Sequence, residues 1–287
     1  MNIVICCTPL GREHKFDSEL RFPLLQSLFF KRAYPDGNVF LATTPDAKIP
    51  DSYKYFFNVC RFDFGANPFA LSRQMFYGMF CRDKYFTEDT IFAGSDVLWG
   101  NKPLPELPPH KMMMSYRYHP SQPYCSDMVL VKKGHGEFAG EFFDKIVKMI
   151  AFLPRKTRIF WADQIAYAIE VGKLQDVHFD GEQHVSPRYD DLLLCPGDEF
   201  LYTPNDLFGS VKARHTHRCL NDVQNTDQLL RLMYKKYAIH FKGPQRKDWF
   251  FSLAFMAFKR GWIDPYKFGL DIQPKDLFKG GFVENEV

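Results

Sequence analysis

Residues 90–96 read Thr-Ile-Phe-Ala-Gly-Ser-Asp, a short apolar run that stops abruptly at a glycine, a serine and a carboxylate. The apolar residues predict a strand over Thr90–Ala93, so that Asp96 follows the carboxyl end of that strand. Ligands of open α/β sheets bind outside the carboxyl ends of the strands, and a carboxylate there can hold a divalent metal ion. The spacing alone also suits an aspartate in a turn or at a helix N-cap, and that alternative stays open.

Strand and helix patterns alternate on both sides of this segment. Asn2–Thr8 and Asn38–Thr43 are apolar runs typical of strands, whereas Pro23 and Asn67-Pro68 stand where helices are expected to begin. Such alternation predicts an α/β fold of the Rossmann-like kind, with a mixed, mostly parallel central sheet flanked by helices.

Length and composition exclude several classes of protein. The chain has 287 residues, 46% hydrophobic and 25% charged, which is enough apolar material for a packed core. We expect one domain over residues 1–265 and a loop-rich tail over 266–287. The net charge of +3, without a run of five basic residues, gives no indication of nucleic-acid binding. The seven cysteines include no Cys-x-x-Cys pair, and no stretch is apolar enough to span a membrane, so a reducing, cytoplasmic location is expected.

A second strand-end segment lies near the carboxyl end of the chain. The run Ala238–Phe241 predicts a short strand that carries His240, and Gly243 follows, where a ligand could approach the backbone closely. The start of the next predicted helix is a favourable place for phosphate, and three basic residues surround it: Lys242, Arg246 and Lys247. A basic solvated loop with a structural histidine is the alternative.

Three further segments are candidates for ligand contacts. Asp163-Gln164 opens a predicted helix, where the aspartate could be a plain N-cap or could bind a sugar or acceptor hydroxyl. Ser126 and Asp127 enter a predicted strand and could hydrogen-bond a sugar, although a polar strand entry explains them almost as well. Arg73 lies one turn into a predicted helix and points either towards a pocket or towards solvent.

Taken in order, these segments resemble the GT-A glycosyltransferase superfamily, and most closely its glycogenin-like and lipopolysaccharide galactosyltransferase-like group. That group has a strand ending in Asp-x-Asp, an Asp-Gln pair that opens a helix, and a late His-Phe-x-Gly-x-x-Lys-Pro-Trp segment. Here the pair is Asp163-Gln164, and the late segment runs from His240 to Trp249 with Asp248 in place of the proline. The first carboxylate of Asp-x-Asp is missing, because Gly94-Ser95-Asp96 stands there.

The resemblance implies transfer of a sugar from a nucleotide-diphosphate sugar, with UDP favoured, to a glycan or other hydroxyl acceptor. Asp96 and His240 are then expected to ligate Mn²⁺ or Mg²⁺. The strand that ends at Thr8 is expected to hold the nucleobase and ribose. The rest of the implied donor-binding set comprises Arg73, Ser95, Ser126, Asp127, Lys242, Gly243 and Arg246.

The resemblance also implies roles in the reaction. Lys247, with Lys242 or Arg246, is expected to stabilise the leaving diphosphate as charge develops on it. Asp163 and Gln164 are expected on the sugar and acceptor side. Likeness to the glycogenin-like group implies that the anomeric configuration is retained without a strong general base, whereas in an inverting enzyme Asp163 is the candidate base.

Two other classes of function stay open. A non-catalytic nucleotide-sugar-binding protein would explain the missing carboxylate at position 94. A metal-dependent phosphohydrolase would need more clustered carboxylates than the sequence offers, since Asp190-Asp191 is its only pair of adjacent aspartates.

Overall fold

The computed structural model of the chain describes residues 1–9, 13–64, 68–102, 104, 110–116, 123–154, 162–172, 178–180, 183–186, 188–196, 201–202, 226–241 and 244–279. The strands among them are β1 Asn2–Cys6, β2 Asn38–Thr43, β3 Asn58–Arg61, β4 Thr90–Ala93, β5 Val97–Trp99, β6 Met112–Tyr116, β7 Tyr124–Val131, β8 His178–Asp180, β9 Gln183–Ser186, β10 Tyr189–Pro196, β11 Leu201–Tyr202 and β12 Ala238–His240. The helices are α1 Glu13–Ala33, α2 Asp51–Lys54, α3 Phe69–Cys81, α4 Gly136–Phe152, α5 Ala162–Val171, α6 Thr226–Lys235, α7 Pro244–Lys259 and α8 Pro274–Leu277. Among these described helices, none combines the length and the hydropathy of a membrane-spanning segment.

Nine of the described strands form the central sheet, in the order β3-β2-β1-β4-β7-β6-β10-β9-β8. The strands β3, β2, β1 and β4 run parallel, as do β6 and β10, whereas β7 is antiparallel to both of its neighbours. A small second sheet joins β11, β12 and β5, with β12 antiparallel to β5. This arrangement confirms the predicted α/β class with a mixed central sheet flanked by helices.

The central sheet is covered by apolar side chains on both faces. Ile3 and Ile5 of β1 belong to one apolar layer, together with residues of α1 and α7. Val4 and Cys6 belong to the other layer, together with residues of α3, α4 and α5. Strands that are buried on both faces read as continuous apolar runs, which is why β1, β2 and β4 can be recognised in the sequence.

The first helix differs from the prediction. It runs from Glu13 to Ala33 with Pro23 inside it, so the expected start of the helix at Pro23 is wrong. A proline inside a helix removes one backbone hydrogen bond and crowds the preceding turn. Burial of the turns on either side offsets this cost, since Leu20 and Leu24 are fully buried. The other predicted cap, Asn67, lies outside the described residues, and α3 begins at Phe69.

The segment of residues 265–279 packs on the rest of the chain. It contains a short 3₁₀ helix, Pro265–Phe268, and the four-residue helix α8. Leu277 is fully buried, and the guanidinium of Arg21 donates to the backbone carbonyls of Asp276 at 3.2 Å and Lys279 at 2.7 Å. The boundary between a domain over 1–265 and a tail over 266–287 stays a prediction.

Candidate functional site

The carboxyl end of β4 is tied to two other strands by backbone hydrogen bonds. The amide of Gly94 donates to the carbonyl of Asp127 on β7 at 3.0 Å. The chain then turns through Ser95 and Asp96 into β5, and the amide of Phe241 donates to the carbonyl of Asp96 at 2.9 Å. These bonds place the end of β12 beside the end of β4, although the two strands are far apart in the sequence.

His240 and Asp96, the two predicted metal ligands, lie side by side in this corner. The His240 imidazole is 2% exposed, and its Nε2 lies 3.3 Å from Asp96 Oδ1. The same nitrogen lies 3.6 Å from Oδ2 of Asp127. One buried imidazole nitrogen therefore faces two carboxylates from two different segments.

The surroundings of His240 favour the charged form of the imidazole. Burial is the largest single influence and lowers the pKa of His240, but the charge and hydrogen bond of Asp96, together with a hydrogen bond to Cys125, help to raise the pKa to about 10. Asp127 acts in the same direction. Without a bound cation, the site therefore holds an imidazolium between the carboxylates of Asp96 and Asp127 at neutral pH.

The donor atoms of this corner fit a divalent metal ion. Ligand atoms of Cys125, Asp127 and His240 lie within 4.8 Å of one another, and Asp96 Oδ1 lies 3.3 Å from His240 Nε2. Bonds of about 2.0–2.2 Å to nitrogen and oxygen place neighbouring ligand atoms about 3 Å apart. His240 Nε2 lies at comparable distances from the oxygens of Asp96 and Asp127, 3.3 Å and 3.6 Å. Carboxylate oxygens suit Mn²⁺ or Mg²⁺, and a thiol suits softer ions such as Zn²⁺.

An irregularity in β7 gives this strand its contribution to the site. Val129 of β7 pairs with Met114 of β6, but the next residue of β6, Ser115, pairs with Cys125. Residues 126–128 therefore have no partner on β6, and such bulges redirect side chains near functional sites. The Cys125 thiol donates to Asp127 Oδ2 at 3.6 Å. The sequence offers only one signal for Cys125, its place beside two polar residues in an apolar strand.

Arg73 points into the site and not to solvent. Its Nη1 donates to Asp127 Oδ1 at 3.0 Å, and its Nη2 donates to Ser126 Oγ at 2.8 Å and to Asp163 Oδ2. Burial alone would lower the pKa of the guanidinium, but the charge of Asp163 raises it well above its usual value. Arg73 thus connects three of the predicted ligand-binding residues, which lie on β7 and α5.

The Asp163-Gln164 pair lies at the start of α5, as predicted. Asp163 is fully buried, its Oδ1 accepts a hydrogen bond from the Gln164 amide at 2.9 Å, and its Oδ2 accepts one from Gln74 at 3.4 Å. The hydroxyl of Tyr167 donates to Gln74 Oε1 at 2.6 Å. A carboxylate is favourable in the first turn of a helix, and here Arg73 balances its charge.

The structure describes the remaining predicted site residues only in part. Thr8 is buried near the end of β1, and its hydroxyl has no hydrogen-bond partner among the described residues, which is uncommon for a buried polar group. Ser95 is half-buried. Lys242 and Gly243 lie outside the described residues. Arg246 and Lys247 lie in the first turn of α7, and their side chains are outside the description.

The chain is similar to known proteins in its structure and not in its sequence. No protein-family model and no curated protein sequence matches the chain. A solved glycosyltransferase involved in glycosylation of the major capsid of PBCV-1 aligns with 87% of this chain and 99% of its own, at 11% identity and a TM-score of 0.50. The galactosyltransferase LgtC, solved with donor and acceptor sugar analogs, aligns with 92% of this chain and 100% of its own, at 12% identity and a TM-score of 0.50.

A third solved structure is similar over most of this chain. The apo-form glycosyltransferase GlyE of Streptococcus pneumoniae TIGR4 aligns with 91% of this chain and 64% of its own, at 9% identity and a TM-score of 0.52. At these identities the likeness is one of fold. The chain therefore has the GT-A fold of the LgtC-like glycosyltransferases, as its sequence motifs predicted.

Proposed function

We propose that this protein is a glycosyltransferase that moves a sugar from a nucleotide-diphosphate sugar to a hydroxyl acceptor, with a divalent metal ion at Asp96 and His240. The observation that carries the proposal is the meeting of His240 Nε2 with the carboxylates of Asp96 and Asp127 at the carboxyl end of β4. The fold shared with solved glycosyltransferases supports the reaction class.

The metal site and the start of α7 would act on the diphosphate. A divalent ion held by Asp96 and His240 would supply positive charge to the diphosphate oxygens. Arg246 and Lys247 lie in the first turn of α7, where backbone amides and the helix dipole already favour phosphate. We assign these two residues, with Lys242, to the developing charge of the leaving group.

The buried pair of Arg73 and Asp163 would position the sugar. Asp163 is fully buried, and its two oxygens accept hydrogen bonds from Arg73, Gln74 and the Gln164 amide. A general base needs an oxygen that can reach the acceptor hydroxyl, so these contacts favour a positioning role for Asp163. This role agrees with a retaining reaction, in which Asp163 and Gln164 line the sugar side.

Donor and acceptor are proposed by class. We assign UDP to the donor because it is the nucleotide implied by the sequence resemblance, and we place the buried hydroxyl of Thr8 on the nucleoside side because it follows β1. A glycan hydroxyl is the proposed acceptor. The proposed location is the cytoplasm, on the reasoning from cysteine usage.

Thermal unfolding with nucleotides tests the donor site. UDP, GDP and UDP-glucose would each be added with and without Mn²⁺, since a ligand at 100 times its dissociation constant adds about 2.7 kcal/mol of stability. In the presence of Mn²⁺, we expect UDP and UDP-glucose to stabilise the wild-type protein. The Asp96→Asn variant should not be stabilised. Asp191→Asn removes a half-exposed carboxylate paired with Lys111 and serves as the matched control that keeps the response. If no nucleotide stabilises the protein under either condition, the donor-site assignment is wrong.

Turnover separates the proposal from its alternatives. Release of UDP from UDP-glucose, with Mn²⁺ and a mixture of glycan acceptors, is the expected result. Metal-independent binding of UDP-glucose without turnover would instead identify a non-catalytic binding protein. Release of inorganic phosphate from a simple phosphate ester would identify a phosphohydrolase.

A further inference from the structure

Position 94 has no space for a side chain, because Asp127 already occupies that space. A Cβ atom built on Gly94 would lie 2.8 Å from Asp127 Oδ1 and 3.0 Å from its Cβ. The 2.8 Å contact is shorter than real Cβ atoms show, so a side chain at position 94 would require the Asp127 carboxylate to move from the position it has here. Position 94 is also where the resembled glycosyltransferase group carries the first carboxylate of Asp-x-Asp.

We propose that Asp127, on the neighbouring strand β7, is a ligand of the divalent ion and takes the place of the carboxylate that is missing at position 94. The ligand set contributed by the protein is then Asp96, Asp127 and His240. The inference rests on the metal site of the proposed function and adds a ligand to it.

The two oxygens of Asp127 are directed to different partners. Oδ1 accepts from Arg73 Nη1 at 3.0 Å, and Oδ2 lies 3.6 Å from His240 Nε2. A metal-binding carboxylate is commonly held by a second group that fixes its orientation, and Arg73 has that position here. Oδ2 therefore approaches the same imidazole nitrogen as Asp96 Oδ1, while Arg73 holds the other oxygen of Asp127.

The strand ladder fixes the distance between the two segments. Ala93 of β4 pairs with Met128 of β7, and the next bond runs from the Gly94 amide to the Asp127 carbonyl at 3.0 Å. Residues directly opposite each other in an antiparallel pair project their side chains from the same face of the sheet. A carboxylate on residue 127 thus reaches the region that a side chain on residue 94 would occupy.

Exchange of the carboxylate between the two strands tests the inference. Mn²⁺ affinity of the full chain would be measured from the electron paramagnetic resonance signal of unbound Mn²⁺, both alone and with UDP. Loss of a group that only orients a metal ligand costs about 10- to 100-fold in affinity, so Asp127→Asn is expected to weaken Mn²⁺ binding by at least about tenfold. Asp144→Asn, a surface carboxylate paired with Arg82, is the control and should bind as the wild type does.

A gain-of-binding variant guards against simple misfolding. Gly94→Asp alone should not improve Mn²⁺ affinity, because its side chain meets Asp127. The double variant Gly94→Asp/Asp127→Gly returns the carboxylate to the other strand and is expected to recover most of the affinity lost in Asp127→Asn. Recovery of binding cannot result from a fold defect.

Three results would overturn the inference: Asp127→Asn binding Mn²⁺ as tightly as the wild type, Gly94→Asp alone binding more tightly, or no binding of Mn²⁺ by the wild type with or without UDP. The proposed transferase activity fails separately. A protein that binds Mn²⁺ through Asp127 but binds no nucleotide would retain this inference and lose the proposed function. If the Asp127→Asn variant turns over UDP-glucose, the proposed function is retained and this inference is lost.

Discussion

Arg73 on α3 and Asp163 at the start of α5 form an ion pair that is almost closed to solvent, with Asp163 fully buried and the Arg73 side chain 10% exposed. Taking two charges out of water is costly, and the cost is recovered only where geometry and further hydrogen bonds are good. Here the same guanidinium also binds Asp127 and Ser126. The pair therefore links the carboxylate proposed to hold the metal ion to the carboxylate proposed to hold the sugar.

Removal of Arg73 should destabilise the protein strongly. Arg73→Met leaves Asp163 and Asp127 without their buried partner, and breaking such a pair costs about 3–5 kcal/mol. Arg82 is the matched control, because it also pairs with two carboxylates, Glu137 and Asp144, but is 32% exposed. Exposed ion pairs contribute about 0–1 kcal/mol, so Arg82→Met should lower the free energy of unfolding only slightly. Urea unfolding measures the free energy of unfolding of both variants. An equal decrease in the two variants would contradict the assignment of a buried network around Arg73.

Metal binding should release a proton from His240. The pKa of this imidazole is raised to about 10, so it is protonated at pH 7.5, and Nε2 must lose its proton to bind a metal ion. Mn²⁺ affinity is therefore expected to rise with pH until the pH passes about 10. Calorimetry at pH 7.5 in HEPES and in Tris should give binding enthalpies that differ by the difference between the ionisation enthalpies of the two buffers, because the buffer takes up about one proton per bound ion. His240→Gln should show weak binding and no such difference, and a wild-type enthalpy independent of the buffer would exclude His240 as a ligand.

The thiol of Cys125 should influence which metal ion is preferred. It lies beside Asp127 Oδ2 at 3.6 Å and belongs to the same cluster as His240. Soft sulfur ligands favour Zn²⁺ over Mn²⁺, so Cys125→Ala is expected to weaken Zn²⁺ binding by about tenfold or more and to weaken Mn²⁺ binding less. Cys60→Ala, at a half-buried cysteine on β3, is the control for loss of a thiol. If Cys125→Ala lost affinity for Zn²⁺ and Mn²⁺ equally, this would count against a Mn²⁺ site made of oxygen and nitrogen ligands.

The hydroxyl of Tyr167 should contribute to stability through Gln74. Tyr167→Phe leaves the buried Gln74 Oε1 without this donor, and an unsatisfied buried group costs about 1–3 kcal/mol. The ring packing against Phe142 is retained in the variant. Tyr189→Phe is the comparison, since its hydroxyl bonds Glu170 at a half-exposed site where water can replace it.

A double-mutant cycle separates this hydrogen bond from other effects of the substitutions. The variant Tyr167→Phe/Gln74→Met removes both partners, and its loss of unfolding free energy should be smaller than the sum of the single losses by about 0.5–3 kcal/mol. Additive losses would mean that the contact between Tyr167 and Gln74 carries no net energy.

Much of the fold could be predicted because its central strands are buried on both faces. β1, β2 and β4 appear in the sequence as unbroken apolar runs with the bounds that the structure gives them to within two residues. Pro23 misled the prediction of α1, since a proline removes only one helical hydrogen bond and the buried turns around it compensate. The three-residue strand β5 was missed because Val97–Trp99 is too short to show a period.

The site could be predicted in part. Asp96 and His240 each follow or end a short apolar strand, a pattern that is visible along the sequence, and they lie together in the structure. The sequence does not decide whether Arg73 points to a pocket or to solvent, because its orientation depends on carboxylates that approach from β7 and α5. The position of Asp127 beside His240 depends on the bulge at residues 126–128. A bulge cannot be predicted from the alternation of apolar and polar residues along a strand.

The close approach of Gly94 and Asp127 means that two positions far apart in the sequence form one location in space. A carboxylate carried by either residue would present its oxygens to the same neighbour, His240. A metal ion responds to the positions of oxygen atoms and not to the order in which the chain supplies them. Proteins with this pair of strands could therefore surround the ion with the same oxygen atoms although their sequence motifs along β4 differ. Such proteins would look related when the paired positions of β4 and β7 are compared together, and unrelated when β4 is compared alone.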